Sequence, residues 1–208
     1  MRDRDVPSLF YRFVILASKP VIYGIYRLEV EGLENIPASG GFVLSANHTS
    51  NFDPWPLGIA LGNRHYLRHM AKAELYWRPL RWIIDAGGGF PVRRGERDTQ
   101  AIETAISLAR KGQVVVMFPE GTRRKKGMRK KFEARAHSGA ARIAIEAGVP
   151  LVPAAIAGTD RLARLGKLRV RYGPPIETGD LGELEPREAA QAATERLMDA
   201  IEAMEATL

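Results

Sequence analysis

"GFVLSANHTSNFDP", residues 41–54, passes from a short apolar run through a small polar stretch to an Asp-Pro step. An apolar run of that length bounded by glycine reads as a buried strand, and Asp-Pro is a common way to enter a helix, so the segment predicts strand, turn, helix. The same punctuation recurs along the chain. Strands are expected in "RLEVEG", "GFVLSANH", "HYLRHMA", "GFPVRR", "QVVVMFPE", "LVPAAIAG" and "KLRVRYG". Helical patterns fall near 54–62, 74–85, 98–111, 138–147 and 186–205, and the last carries Leu197, Ile201, Met204 and Leu208 in a stripe suited to packing on the sheet. Such alternation predicts one α/β domain with no internal repeat and no dividing linker.

Composition sets the outer bounds. A chain of 208 residues with 45% apolar and 26% charged residues is long enough for one globular core. It has no cysteine, which excludes disulfides, thiolate zinc sites and a cysteine nucleophile, and suits a reducing compartment. A net charge of +7 favours anionic partners: nucleic acid, anionic lipid or phosphorylated substrates.

The N-terminal stretch "LFYRFVILASKPVIYGIYRLEV" is apolar but interrupted by Arg12, Lys19 and Arg27, so it is too broken to span a bilayer. It also makes a poor signal peptide, since Asp3 and Asp5 dilute the basic start and "FVILAS" is short. Pro20 is expected to split it into two short helices. Two roles stand open for residues 1–27, a monotopic membrane-associating segment or helices packed on the remaining domain, residues 28–208.

Placed on this map, His48 lies just past a strand and Asp53 at the start of a helix, five positions on. In α/β sheets, ligands bind beyond the carboxyl ends of the strands. "MFPEGTR" ends the apolar run "VVVMF" in the same way, and "FPVRRG" ends a shorter one. These three polar clusters are candidates to share one cleft. A histidine titrates near neutrality, and a carboxylate that folds back onto it holds one ring nitrogen and stabilises the imidazolium. The plainer reading makes Asp53 an N-cap beside a surface histidine, and the two roles are compatible. Asn47 is expected to fix the turn, with its amide also within reach of a substrate oxygen. Ser45, Thr49 and Ser50 lack the G-x-S-x-G setting of an activated serine.

Taken in order, "NHTSNFD" (47–53), "GGFPVRRG" (88–95), "FPEGTR" (118–123) and "GVPLVPAAI" (148–156) resemble the four blocks of the glycerolipid acyltransferases, and most of all the 1-acylglycerol-3-phosphate (lysophosphatidate) acyltransferases. The resemblance runs from about residue 29 to residue 175, with the first and third blocks the more specific. It implies a mixed, largely parallel sheet flanked by helices and a reaction in which His48, oriented by Asp53, activates the acceptor hydroxyl. No enzyme nucleophile and no metal are then needed. The donor is expected to be acyl-CoA or acyl carrier protein, as substrate rather than cofactor.

The same resemblance implies that Glu120, Gly121 and Thr122 shape the acceptor site and that Arg123 binds its phosphate, a role the planar guanidinium fork suits. Lys72 matches a second phosphate-binding position, as a point charge. Arg94 matches the arginine of the second block, but Arg93 stands where an acidic residue is usual, so which of the two faces the site is open. Pro119 and Pro153 are expected as structural support, Pro153 on the cleft wall. His65 and His69, four apart, are expected on a strand some 13 Å apart and are not a metal pair.

The basic run "RRKKGMRKK" (123–131) suits anionic headgroups or coenzyme A phosphates, or is simply a solvated loop. No aromatic platform accompanies it, which argues against nucleic acid. The resemblance implies acylation of 1-acylglycerol 3-phosphate to phosphatidic acid, expected at the cytoplasmic side of a cell membrane. The alternatives are another lysolipid acceptor, hydrolysis of a thioester or lysolipid, or a catalytically silent lipid-binding protein.

Overall fold

The computed structural model describes residues 7–92, 99–120 and 137–208. Seven strands form a single sheet: β1 (Glu29–Glu31), β2 (Phe42–Ala46), β3 (Leu67–Lys72), β4 (Gly89–Val92), β5 (Val114–Met117), β6 (Leu151–Ala157) and β7 (Arg169–Tyr172). Their spatial order is β1-β7-β6-β2-β5-β3-β4. Among the described residues the only antiparallel pairing is β6 with β7, and the other five ladders are parallel. Every strand expected from sequence is present.

Because successive side chains of a strand face opposite ways, each central strand feeds two cores. Phe42, Leu44, Ala46, Val114, Val116, Val152, Ala154 and Ile156 face one layer, while Val43, Val115 and Leu151 face the other. The first layer contains α1 (Leu9–Lys19) and α2 (Pro54–Leu61), which bury Tyr11, Ile15, Leu57 and Ile59. A short helix, α3 (Leu80–Ala86), meets the start of α1 where Ser8 Oγ donates to Ala86 O at 3.4 Å. The second layer is α4 (Thr99–Arg110), α5 (Gly139–Ala147) and α6 (Pro186–Glu205). On α6, Leu197 and Ile201 are buried against that core, as the stripe predicts.

Two helical expectations are corrected. Pro20 does not divide the N-terminal stretch into two helices: α1 runs directly into a π-helical turn, Pro20–Ile25, in which Tyr26 N–H reaches Val21 O at 3.1 Å. The wider turn accommodates a residue that has no N–H to give and whose ring crowds the preceding turn. Residues 74–85 are likewise not one helix but a 3₁₀ turn, Ala73–Leu75, followed by α3. Pro79 separates them, since the residue before a proline is disfavoured in the α conformation. The face of α1 carrying Tyr11 and Ile15 is packed, and the face carrying Leu9, Phe13 and Leu16 is exposed. No helix of the described residues is long and apolar enough to cross a membrane.

His69, on β3, has its Nδ1 buried without a hydrogen-bond partner, and burial, aided by the adjacent Arg68 charge, pushes its pKa from 6.5 down to about 4. Between those values the unfolded chain holds a proton that the folded chain does not, so stability is complete above 6.5 and falls as the pH drops toward 4. His65 is shifted in the same direction, by burial and then by Arg64. We expect the urea midpoint to drop between pH 7 and pH 4.5, and His69→Leu to flatten that dependence while leaving the part due to His65. An unchanged pH slope in the variant would show that His69 is solvated.

Candidate active site

Register places the motif-bearing strand ends together. Val116 of β5 lies beside Leu44 of β2 and His69 of β3, and Leu44 also lies beside Val152 of β6. Counting on from those pairs, Asn47 and His48 after β2, Pro119 and Glu120 after β5, and Lys72 at the end of β3 all come to the same end of the sheet. Lys72 pairs with Val92 of β4, after which the chain continues toward Arg93 and Arg94. With β5 between β2 and β3, the backbones carrying His48 and Lys72 are roughly 10 Å apart, two strand spacings.

His48 and Asp53 are both buried, and His48 Nδ1 lies 2.8 Å from Asp53 Oδ2. The same carboxylate accepts the backbone N–H groups of Thr49 at 2.7 Å and Ser50 at 2.9 Å, and the hydroxyl of Thr159. Thr49 Oγ1 lies 3.3 Å from Asp53 Oδ1 and 2.9 Å from Thr159 Oγ1, which completes the cluster. Burial alone would raise the Asp53 pKa, but donation from His48, Ser50 N–H, Thr159 and Thr49 N–H holds it below its ordinary value of 3.8. Asp53 is therefore an anion at neutral pH.

With an ionised carboxylate on Nδ1, that nitrogen carries the hydrogen and Nε2 carries the lone pair. Phe118 stacks on the imidazole with ring centroids 4.1 Å apart and planes inclined by 19°, so the ring is held by contact on its face as well as by its hydrogen bond. The arrangement presents one oriented basic nitrogen at the end of a parallel sheet.

The helix-cap reading of Asp53 is corrected: its backbone is helical and its side chain caps nothing on α2, because it turns back to Thr49 and Ser50. Asn47, expected to fix the turn, is tied to β6 and to the end of α6. Its Oδ1 accepts Ile156 N–H at 2.8 Å, and its Nδ2 donates to Ile156 O and to Glu205 Oε1, each at 3.0 Å. Both amide hydrogens are thus spent on β6 and the end of α6, and the side chain extends the β2–β6 pairing instead of reaching a substrate oxygen. Pro153 sits mid-strand in β6 opposite Ser45, its carbonyl accepting Gly173 N–H at 2.9 Å, several residues short of the strand end that carries the cluster.

Pro119 is buried in the turn after β5 and accepts His137 N–H at 2.9 Å. Glu120 is partly buried beside it, and Lys72 is exposed. Arg94, Gly121, Thr122 and Arg123 lie outside the described residues, as does the basic run 123–131. His65 packs edge-on against Phe42. Among the described residues no group of three or more His, Asp or Glu side chains is placed to hold a metal.

Sequence reasoning missed Thr159 and Phe118. Thr159 follows Gly158, whose φ of 96° and lack of a Cβ let the chain turn against the Lys167 carbonyl, where a Cβ would stand 2.3 Å away. The turn delivers a buried hydroxyl to Asp53. We expect Thr159→Val, which keeps the volume and deletes the donor, to lower kcat by about 10- to 100-fold with little change in KM. Losing a donor that lowers the Asp53 pKa should also move the acid edge of the activity profile to higher pH, whereas Thr159→Ser should behave like the unmodified enzyme. A Ser variant as impaired as the Val variant would mean that the methyl group, not the hydroxyl, matters.

A buried, carboxylate-oriented histidine at the carboxyl end of a largely parallel sheet has the chemistry to take a proton from a hydroxyl brought against it. The acyltransferase family model matches residues 27–157, and the chain belongs to that family; it is an acyltransferase. It is 32% identical over 201 residues to the 1-acyl-sn-glycerol-3-phosphate acyltransferase of Bacillus subtilis, covering 94% of this chain and 96% of that one. It is 30% identical to the human 1-acyl-sn-glycerol-3-phosphate acyltransferase alpha, over 87% of this chain and 65% of that one. The crystal structure of the 1-acyl-sn-glycerophosphate acyltransferase PlsC of Thermotoga maritima superposes with a TM-score of 0.61 at 28% identity, covering 98% of this chain and 83% of that one.

Proposed function

We propose that the enzyme transfers a fatty acyl group from acyl-CoA or acyl carrier protein to the free hydroxyl of 1-acylglycerol 3-phosphate, making phosphatidic acid for phospholipid synthesis. The observation that carries this reading is the His48–Asp53 pair, 2.8 Å apart and buried, at the sheet end that also carries Lys72, Pro119 and Glu120. His48 Nε2 takes the hydroxyl proton as the acceptor oxygen attacks the thioester carbonyl, and Asp53 stabilises the imidazolium so formed. The tetrahedral intermediate collapses to the ester and expels the thiolate, which recovers the proton from His48. No enzyme nucleophile enters the balance.

Lys72, reaching in from two strands away, and Arg123 after β5 hold the acceptor phosphate, while Glu120, Gly121 and Thr122 shape the space between phosphate and reacting hydroxyl. Arg94 adds charge from the β4 side. The names of the relatives support this acceptor. The enzyme works as a peripheral or monotopic protein on the cytoplasmic side of a membrane, with residues 1–27 associating with lipid and 28–208 forming the acyltransferase domain; the exposed apolar face of α1 supports that division.

Product identification with labelled acyl-CoA against a panel of acceptors tests the proposal. The expected product is labelled phosphatidic acid formed from lysophosphatidate in preference to glycerol 3-phosphate and other lysolipids. Labelled free fatty acid as the main product would make the enzyme a hydrolase, and no turnover of any acceptor would leave a binding protein.

A further inference from the structure

Among the described residues, all the exposed large apolar side chains except Leu33, Leu165 and Leu184 fall in three segments. The first is residues 9–25, with Leu9, Phe10, Phe13, Leu16, Val21, Tyr23 and Ile25. The second is residues 75–83, with Leu75, Trp77, Trp82 and Ile83. The third is Phe52, beside Asp53 in the dyad turn. The first two belong to elements joined by the Ser8–Ala86 hydrogen bond, and the second leaves the sheet directly after Lys72, at the end that carries His48. Large tryptophans left 59% and 68% exposed, as Trp77 and Trp82 are, call for a partner surface.

Charge selects the partner. Exposed Arg12 and Lys19 accompany the apolar face of α1, and no acidic residue occurs between Pro7 and Leu28. Arg78 and Arg81 stand exposed between Trp77 and Trp82; of the two acids near them, Asp85 pairs with Arg81 and Glu74 is exposed at the start of the segment, beside Lys72, so the two faces together remain cationic. A second copy would bring cations against cations, whereas an anionic lipid surface complements them. Tryptophan favours the boundary between headgroups and acyl chains, where arginine stems lie along apolar surface with their charges in water.

We propose that residues 75–83 are a second lipid-contacting element, seating Trp77, Trp82 and Ile83 in the bilayer interface beside α1 so that the sheet end with His48 opens onto the membrane. This rests on the lipid-acceptor reading given above. Phe52 and Leu75, one step from Asp53 and a few residues past Lys72, then form an apolar rim over which an acceptor leaves the bilayer without exposing its acyl tail to water.

The test uses the full chain and mixed phosphatidylglycerol–phosphatidylcholine vesicles with brominated acyl chains. The protein's own tryptophans report, since Trp55 is partly buried in the core against Tyr26 while Trp77 and Trp82 are exposed. Strong quenching is expected, and it should vanish in the Trp77→Phe, Trp82→Phe double variant although that variant still sediments with the vesicles. Trp77→Ser with Trp82→Ser should weaken vesicle partition by roughly tenfold or more, on the scale of withdrawing a buried aromatic from apolar surroundings, with turnover of a dispersed short-chain lysophosphatidate kept within twofold. Vesicle binding without quenching, or an unaltered partition of the Ser variant, would overturn the proposal. So would a monomer–dimer shift in the Ser variant by sedimentation, which would mean that the face covers a second copy. Quenching in an enzyme that acylates no lysolipid would instead refute the functional reading and leave this surface standing.

Discussion

His48→Ala is expected to lower kcat for acyl transfer by about 10²- to 10⁴-fold, the usual contribution of a positioned general base, with the circular dichroism spectrum unchanged. Asp53→Asn should lose a comparable share of activity, but for two reasons at once. The carboxylate accepts from His48, Thr49 N–H, Ser50 N–H and Thr159, and an amide offers one acceptor oxygen where two were used. Its NH₂ group would then face donors, so the variant should also unfold more readily, by about 1–3 kcal/mol for a buried group left without its partners. Activity of a folded His48→Ala protein within threefold of wild type would rule out the dyad as the base.

Removing the charge of Arg123 or Lys72 is expected to raise KM for lysophosphatidate roughly 10- to 150-fold, the worth of a charged hydrogen bond of about 1.5–3 kcal/mol, with a much smaller effect on KM for the acyl donor. The matching monoacylglycerol, which lacks phosphate, should be a poor acceptor for the wild-type enzyme and should discriminate little between wild type and variants. The two residues follow different strands in the chain, Lys72 closing β3 and Arg123 coming after β5 in sequence. Their combined loss should therefore exceed either alone. Equal KM increases for donor and acceptor would place these charges on the donor side, near the coenzyme A phosphates.

The strands were readable because each is a short apolar run closed by glycine, proline or a charged cluster, and β2, β5 and β6 are near-continuously apolar as strands buried on both faces must be. Prolines misled in both directions. Pro79 divides a stretch whose apolar spacing looked helical throughout, and Pro20 is absorbed by a π turn where a break looked necessary. The closeness of His48 and Asp53 was legible as local spacing, since five residues with a turn between them can bring two side chains together. The rest of the cluster was not. Thr159 reaches Asp53 across 106 residues of chain, and a threonine after a glycine carries no local mark of that destination. The partners of Asn47 were hidden for the same reason, because Ile156 and Glu205 are set by the sheet order and not by its neighbours in sequence.

Those long spans bear on when during biosynthesis the site comes into being. The segment 47–53 leaves the ribosome complete, yet its carboxylate lacks the Thr159 hydroxyl until the chain has passed β6, and Asn47 lacks Glu205 until the last residues of α6 have emerged. Because β2 is flanked by β5 and β6, both synthesised later, its two ladders cannot be completed until the chain has reached β6. A chain arrested before residue 159 thus carries the whole His-Asp motif without the Thr159 hydroxyl that helps hold its carboxylate.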